Sequence, residues 1–215
     1  MTCGSQEAIY LSFLTSLDVS CQVIVPNPGY LVYTPALELV DATPISLELR
    51  EDEDWEINPD RLRKLIDKKK THGIVINTPH NPLGTVYDRK ILEEIADIAV
   101  EYDLYIFSDE AYEKLVYDRK HVSVGSLNGM NDYVVSFFTF SKSYAMCGYR
   151  LGYAVGPKNL IQAMTKVSHY VTLSAPTISQ LVGVKALSLS GTYTEMMRKE
   201  YDRRRKFIVK RLNEI

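Results

Sequence analysis

The chain has 215 residues, 46% of them hydrophobic, and a formal net charge of −2. It is long enough to bury a sizeable core, and its charge balance argues against nucleic acid as a partner. The one basic cluster, Arg203-Arg204-Arg205-Lys206, shares its helical stretch with Glu200 and Asp202 and reads as a solvated helix face. Cys3, Cys21 and Cys147 form no metal-type pair, and His72, His80, His121 and His169 lack metal-ligand spacing. No apolar run reads as a signal peptide or reaches membrane-spanning length. The expectation is a reduced, cytoplasmic protein with no metal and no membrane partner.

In chain order, Gly4-Ser5-Gln6 opens a predicted helix running to about Leu17. Residues 23–26 are strand-like, a helical stretch runs from about 30 to 40, and residues 44–49 form a second strand. Asn58-Pro59-Asp60 signals a helix start with proline in the first turn, and Leu62, Leu65 and Ile66 supply its apolar face. Residues 73–77 are a short buried strand, and a helix from about 88 to 102 carries Ile91, Leu92, Ile95, Ile98 and Ala99 on one side. Residues 104–108 are the next strand and deliver Asp109 at its end. Strands at 133–140 and 151–155 follow, and from Tyr170 onward the chain reads as helices, the last from about 192 to 215. This alternation predicts an α/β fold with a mostly parallel sheet sandwiched by helices. Such open sheets bind ligands beyond the carboxyl ends of their strands, and Asn81, Asp109 and Lys142 all fall just past such ends. There is no Walker loop, dinucleotide glycine fingerprint or serine-hydrolase elbow.

Lys142 is the most informative of these residues. The strand at 133–140 runs straight into Ser141-Lys142-Ser143-Tyr144, and a lysine at the end of an interior strand is paired, desolvated or chemically used. Desolvation lowers a lysine's pKa and makes its amine a nucleophile, as a Schiff-base lysine requires. With Asp109-Glu110-Ala111-Tyr112 upstream and Arg150 downstream, the set suits one charged aromatic cofactor. Taken singly, several of these residues have plainer uses. Ser5 is a favoured N-cap, Asn81 a turn former, Asp109 a helix cap after a strand, Tyr30 a turn tyrosine and Lys142 a surface lysine.

Four segments together resemble the class I/II aminotransferases, pyridoxal 5'-phosphate (PLP) enzymes of fold type I. They are Gly4-Ser5-Gln6-Glu7-Ala8, Asn77-Thr78-Pro79-His80-Asn81-Pro82-Leu83-Gly84, Asp109-Glu110-Ala111-Tyr112, and Phe140-Ser141-Lys142-Ser143-Tyr144-Ala145-Met146-Cys147-Gly148-Tyr149-Arg150-Leu151-Gly152-Tyr153. They occur in the family's order, and the resemblance covers nearly the whole chain. It implies a fold type I large domain and PLP as cofactor. It implies that Gly4, Ser5 and Gln6 bind the phosphate at a helix N-terminus. Tyr30 would stack on the ring, Asn81 donate to the phenolate oxygen, Asp109 keep the pyridine nitrogen protonated, and Tyr112 hydrogen-bond the phenolate. Lys142 would form the Schiff base and shuttle the substrate proton. Arg150 would neutralise the phosphate, with Thr139 and, more weakly, Ser141 touching it. Leu83 stands where the family usually has threonine, which leaves the hydrogen bonding around Asn81 open.

The activity the resemblance implies is transfer of an amino group between an amino acid and a 2-oxo acid, with Lys142, Asp109 and Tyr112 catalytic. The alternatives are another reaction on the same fold (a carbon–sulfur lyase or an aminocyclopropane-carboxylate synthase) and a non-catalytic PLP-sensing domain of a regulator. Relatives of this kind form homodimers. The resemblance also implies a PLP-binding large domain at residues 1–190, without the relatives' N-terminal segment. Residues 191–215 would begin a long helix leading to a small C-terminal domain that the sequence lacks. Because the arginine that grips the substrate carboxylate in relatives lies in that part, these 215 residues alone are expected to be inactive.

Overall fold

Six strands and eight α-helices alternate along residues 1–189 and 191–215, the residues described by the computed structural model. In order they are α1 (Ser5–Ser16), β1 (Gln22–Asn27), α2 (Tyr33–Glu38), β2 (Thr43–Glu48), α3 (Pro59–Leu65), β3 (Thr71–Asn77) and α4 (Arg89–Tyr102). There follow β4 (Tyr105–Asp109), β5 (Val134–Thr139), α5 (Phe140–Ser143), β6 (Gly152–Val155), α6 (Lys158–Val171), α7 (Thr177–Ser188) and α8 (Thr192–Leu212). The strands form one sheet in the order β2-β1-β3-β4-β5-β6. Every pairing is parallel except that of β5 with β6, so the expected mostly parallel α/β sheet is what forms.

Strand alternation divides the core in two. Ile24, Ile74, Ile76, Ile106 and Val134 pack on the face covered by α3 and α4. Val23, Val25, Val75, Phe107, Val135 and Phe137 pack on the opposite face, under α1, α2 and α6. Both faces are apolar, which is why the strands read as continuous hydrophobic runs.

Local signals set the helix ends. Asn58 caps α3, its side-chain oxygen accepting from the amides of Asp60 and Arg61, with Pro59 in the first turn. The stretch expected from 30 to 40 is a helix only over Tyr33–Glu38. The chain then reverses in a Schellman turn, with Asp41 left-handed at φ 58 and the Ala42 amide bonded to the Leu37 carbonyl at 3.0 Å. The helical region also begins earlier than Tyr170, at α6, whose Leu160 and Met164 pack into the core beside α1. Ser190, the expected boundary, lies outside the described residues. Beyond it α8 touches the rest of the chain through Thr194 to the Ser143 carbonyl, Arg198 to the Val116 carbonyl and Arg205 to Asp118 and the Tyr117 ring. Its Phe207, Ile208 and Leu212 are exposed.

Candidate active site

Asn77, Asp109 and Thr139 end three neighbouring strands, and alternation turns all three toward the face of α1 and α2. They form the floor of a cleft of about 180 Å³. Asn77 knits this floor together: its amide nitrogen donates to the Asp109 carbonyl at 3.0 Å, and its side-chain oxygen accepts from the Asn81 amide at 2.7 Å. The turn that presents Asn81 is thus fixed to the ends of both β3 and β4.

Asp109 is 3% exposed. Its Oδ2 accepts from the Tyr33 hydroxyl at 2.8 Å and its Oδ1 from the Ala111 amide at 3.1 Å. Burial pushes its pKa up from 3.8 to about 6, against the pull of those two bonds. Among the described residues no lysine, arginine or histidine forms an ion pair with it. The Tyr33 phenol is raised well above its ordinary value by burial and by the Asp109 carboxylate. Tyr30 stands edge-on to Tyr33, with ring centroids 5.6 Å apart, and lines the cleft. Its phenol is raised by burial and by the same carboxylate.

α5 is a single turn capped by Thr139, whose hydroxyl accepts from the Ser141 amide at 3.1 Å and donates to the Leu151 carbonyl at 3.4 Å. Lys142 therefore leaves the sheet within one helical turn of β5, with its Nζ 5.5 Å from the centre of the Tyr112 ring. The possibility that burial activates this lysine does not hold, because Lys142 is exposed. It sits beyond the strand end, where the cleft opens into a wider cavity of about 950 Å³ that Lys142 and Tyr112 also line. Position, not desolvation, brings its amine to the site.

The other end of the cleft is built from distant segments. Gly4 precedes α1 with φ +87, and a Cβ on it would lie 2.6 Å from Nη2 of Arg150. At Gly152, the first residue of β6, a Cβ would meet the Gly4 carbonyl carbon and the Ser5 nitrogen at 2.6 Å. The two glycines let β6 pass against the first turn of α1 and bring the guanidinium beside that turn's amides. Arg150 itself is left-handed at φ 51, and its Nη1 donates to the Cys147 carbonyl at 3.1 Å. First-turn amides and a guanidinium together make an anion site.

Ser5, Gln6, Tyr30, Asn81, Asp109, Tyr112, Thr139, Ser141, Lys142 and Arg150 all line this one cleft, and Gly4 lies directly behind it against Arg150. Asn77, Ala111 and Cys147 line it as well. Sequence reasoning missed Asn77 as the knot of the floor and Tyr33 as the donor to Asp109. For Tyr33 the available signal was its spacing of one helical turn from Tyr30. His80 is buried beside Asn81 with Nε2 unpartnered, and burial pulls its pKa from 6.5 down to about 4.

The cleft thus has an anion site at one end, a buried carboxylate without a cation on its floor, the polar groups of Asn81 and Tyr112 along it, and an amine at its mouth. That set fits a planar group with an anionic tail, a ring nitrogen able to carry a proton toward Asp109, and a carbonyl carbon within reach of Lys142.

Comparison with known proteins shows the family. The family described as "Aminotransferase class I and II" matches residues 1–215. The chain is 40% identical over 215 residues to an aspartate aminotransferase of Pyrococcus abyssi, covering 99% of this chain and 55% of that protein. It is 39% identical over 218 residues to aromatic-amino-acid aminotransferase 2 of Thermococcus litoralis, covering 100% and 56%. The crystal structure of an aromatic aminotransferase from Pyrococcus horikoshii superposes with a TM-score of 0.95 at 39% identity, over 99% of this chain and 58% of that one. The chain therefore spans about 55% of the length of such relatives. It belongs to the class I and II aminotransferases.

Proposed function

We propose that this chain is the cofactor-binding part of an enzyme that moves an amino group between an amino acid and a 2-oxo acid, with PLP carried on Lys142. The family implies use of PLP. The observation that carries the reading is Asp109, a buried carboxylate with a raised pKa and no cationic partner among the described residues, on the floor of a cleft that Lys142 reaches. PLP, when bound, supplies the electron sink that allows the substrate's Cα–H bond to break.

The chain's own residues do the rest. Gly4, Ser5, Gln6 and Arg150, with Thr139 and Ser141, hold the phosphate. Asp109 holds a proton on the ring nitrogen, Tyr30 covers the ring, and Asn81 and Tyr112 bond its phenolic oxygen. Lys142 takes and returns the proton at the substrate carbon. Residues 1–190 act as the cofactor-binding domain and residues 191–215 as a helical lead-in to a further domain. Ile178, Leu181, Val184 and Leu187 spread apolar surface over the outward half of α7, each at least 60% exposed, which supports a homodimer. Three free cysteines fit the reducing cytoplasm. No helix among the described residues is long and apolar enough to cross a membrane.

Borohydride reduction of the PLP-loaded protein, followed by peptide mapping, is expected to place the pyridoxyl group on Lys142; a label on another lysine refutes the assignment. Because relatives are named for aspartate and for aromatic amino acids, those donors lead the panel to be assayed against 2-oxo acids.

A further inference from the structure

Next to Asp109 the chain buries a second carboxylate that the proposed chemistry leaves without a task. Glu110 is 1% exposed. Alternation turns it to the opposite face of the sheet from Asp109, beside Ser108. Its Oε1 accepts from the hydroxyls of Ser108 at 3.1 Å and Ser123 at 2.8 Å, and its Oε2 pairs with Nε2 of His121 at 2.7 Å. The His121 side chain is 11% exposed, and its Nδ1 is buried without a partner; because a carboxylate only accepts, Nε2 is the donor to Glu110.

A buried carboxylate is costly even when well bonded, and an apolar residue would fill the same space without that cost. What the polar cluster adds is register. It ties residues 121–123 back to the end of β4 and closes 111–122 into a loop. That loop carries Tyr112. At its near end the Ala111 amide bonds Asp109 at 3.1 Å and the Glu113 amide bonds the Glu110 carbonyl at 3.0 Å, while farther along the side-chain ties from Arg119 to Glu56 and from Asp118 to Arg205 lead away from the cleft. Those pairs are partly exposed and correspondingly weaker.

We propose that His121 and Ser123 are positioning residues, acting through the Glu110 carboxylate to hold Tyr112 beside the Lys142 amine. The inference rests on the reading of Lys142 as the amine that carries the cofactor. Loosening the loop displaces Tyr112, whose ring centre lies 5.5 Å from Lys142 Nζ. Asp109 keeps its bond to Tyr33, which holds it from the other face, alongside its bond to the Ala111 amide.

The test uses the complete holoenzyme and follows the pH midpoint of the visible absorbance of the lysine-bound cofactor. The variants are His121→Phe, His121→Gln, Ser123→Ala, Tyr112→Phe and the His121→Phe/Tyr112→Phe pair. Tyr30, Asp109, Lys142, Cys147 and Arg150, the other titratable or charged groups around the cleft, stay in place in all of them. His121→Phe is expected to move the midpoint in the same direction as Tyr112→Phe, by about half a unit or more, about threefold in proton affinity. It is expected to add nothing in the double variant. His121→Gln restores a donor to Glu110 and keeps the parent midpoint. In the cofactor-free protein, amide exchange over residues 111–122 is expected to quicken in His121→Phe while β4 stays protected. Should His121→Phe not fold, Ser123→Ala carries the same comparison with a smaller shift. An unmoved midpoint with the absorbance intact, or additive shifts in the double variant, overturns the proposal. A parent holoenzyme with no lysine-bound absorbance overturns the cofactor reading, and the proposal with it.

Discussion

Asp109 and His80 are expected to oppose each other in the pH dependence of stability, and replacing either one should unmask the other. Burial raises Asp109 from 3.8 to about 6, a shift of about 3 kcal/mol at roughly 1.36 kcal/mol per unit. Its folded form binds the proton more tightly than its unfolded form. It therefore favours folding below the unfolded value, and that stability is lost as pH rises from about 4 through about 6. His80 has the opposite sign. Burial pulls it from 6.5 to about 4, also about 3 kcal/mol. Its contribution is present above the unfolded value and is lost as pH falls toward about 4. The two slopes nearly cancel, so together Asp109 and His80 should add little pH dependence to the cofactor-free parent across this window. Asp109→Asn keeps a partner for both Tyr33 and Ala111 and removes the falling slope. Its stability relative to the parent should grow from near zero at about pH 4 to at most about 3 kcal/mol above about pH 6. His80→Asn should gain on the parent toward low pH instead, on top of a constant packing loss. Urea denaturation of the cofactor-free protein at several pH values measures both differences. A difference between Asp109→Asn and parent that stays flat with pH would refute the burial argument. A cation seated against Asp109 reverses the shift, so cofactor binding should erase the Asp109 slope as well.

Tyr33→Phe removes the phenol donor from Asp109 and should raise the carboxyl's proton affinity further, seen as an upward move of the Asp109 titration by NMR; an unchanged titration would mean that the bond does not act on the carboxylate. Gly152→Ala drives a Cβ into backbone 2.6 Å away and should cost about 1–3 kcal/mol, with cofactor affinity falling beyond what the stability loss explains; paired denaturation and binding titrations separate the two. Asn58→Ala removes the cap of α3 and should cost about 1 kcal/mol with no change in cofactor affinity, as the control for a site far from the cleft.

The parallel strands were legible because they are short buried runs bounded by turns, and the Asn58-Pro59 start of α3 because a cap and a first-turn proline are local. Asn81, Asp109 and Lys142 were legible as strand-end residues, which is where such a sheet exposes side chains at its carboxyl edge, whereas Gly4, Ser5, Gln6, Tyr30, Tyr112, Thr139, Ser141 and Arg150 were given their roles only through the family resemblance. Which face each strand residue occupies was not, since Ile74 and Val75 are equally apolar and differ only in which helices cover them. Tyr33 and Asp109 meet through a side-chain contact between the end of β4 and a helix much earlier in the chain; the spacing of Tyr33 from Tyr30 could mark it as a neighbour of the cleft but not as the donor to Asp109. The pairing of Glu110 with His121 and Ser123 spans a loop with no repeat or motif. The exposure of Lys142 depends on the one-turn helix α5 carrying it past the sheet edge, whereas the residue pattern reported only that a strand ends nearby.

The passage of β6 against the first turn of α1 also bears on the order of assembly. The amides after Gly4 belong to the beginning of the sequence, and Arg150 arrives only after every parallel strand has been laid down. A receptor for a dianion joined from such distant segments is absent from any partly folded chain, because the long-range contacts that make it form late. An anion bound there stabilises the finished sheet and none of its precursors. Its affinity therefore reports on completion of the fold, and phosphate should slow unfolding of this protein without speeding the early steps of its folding.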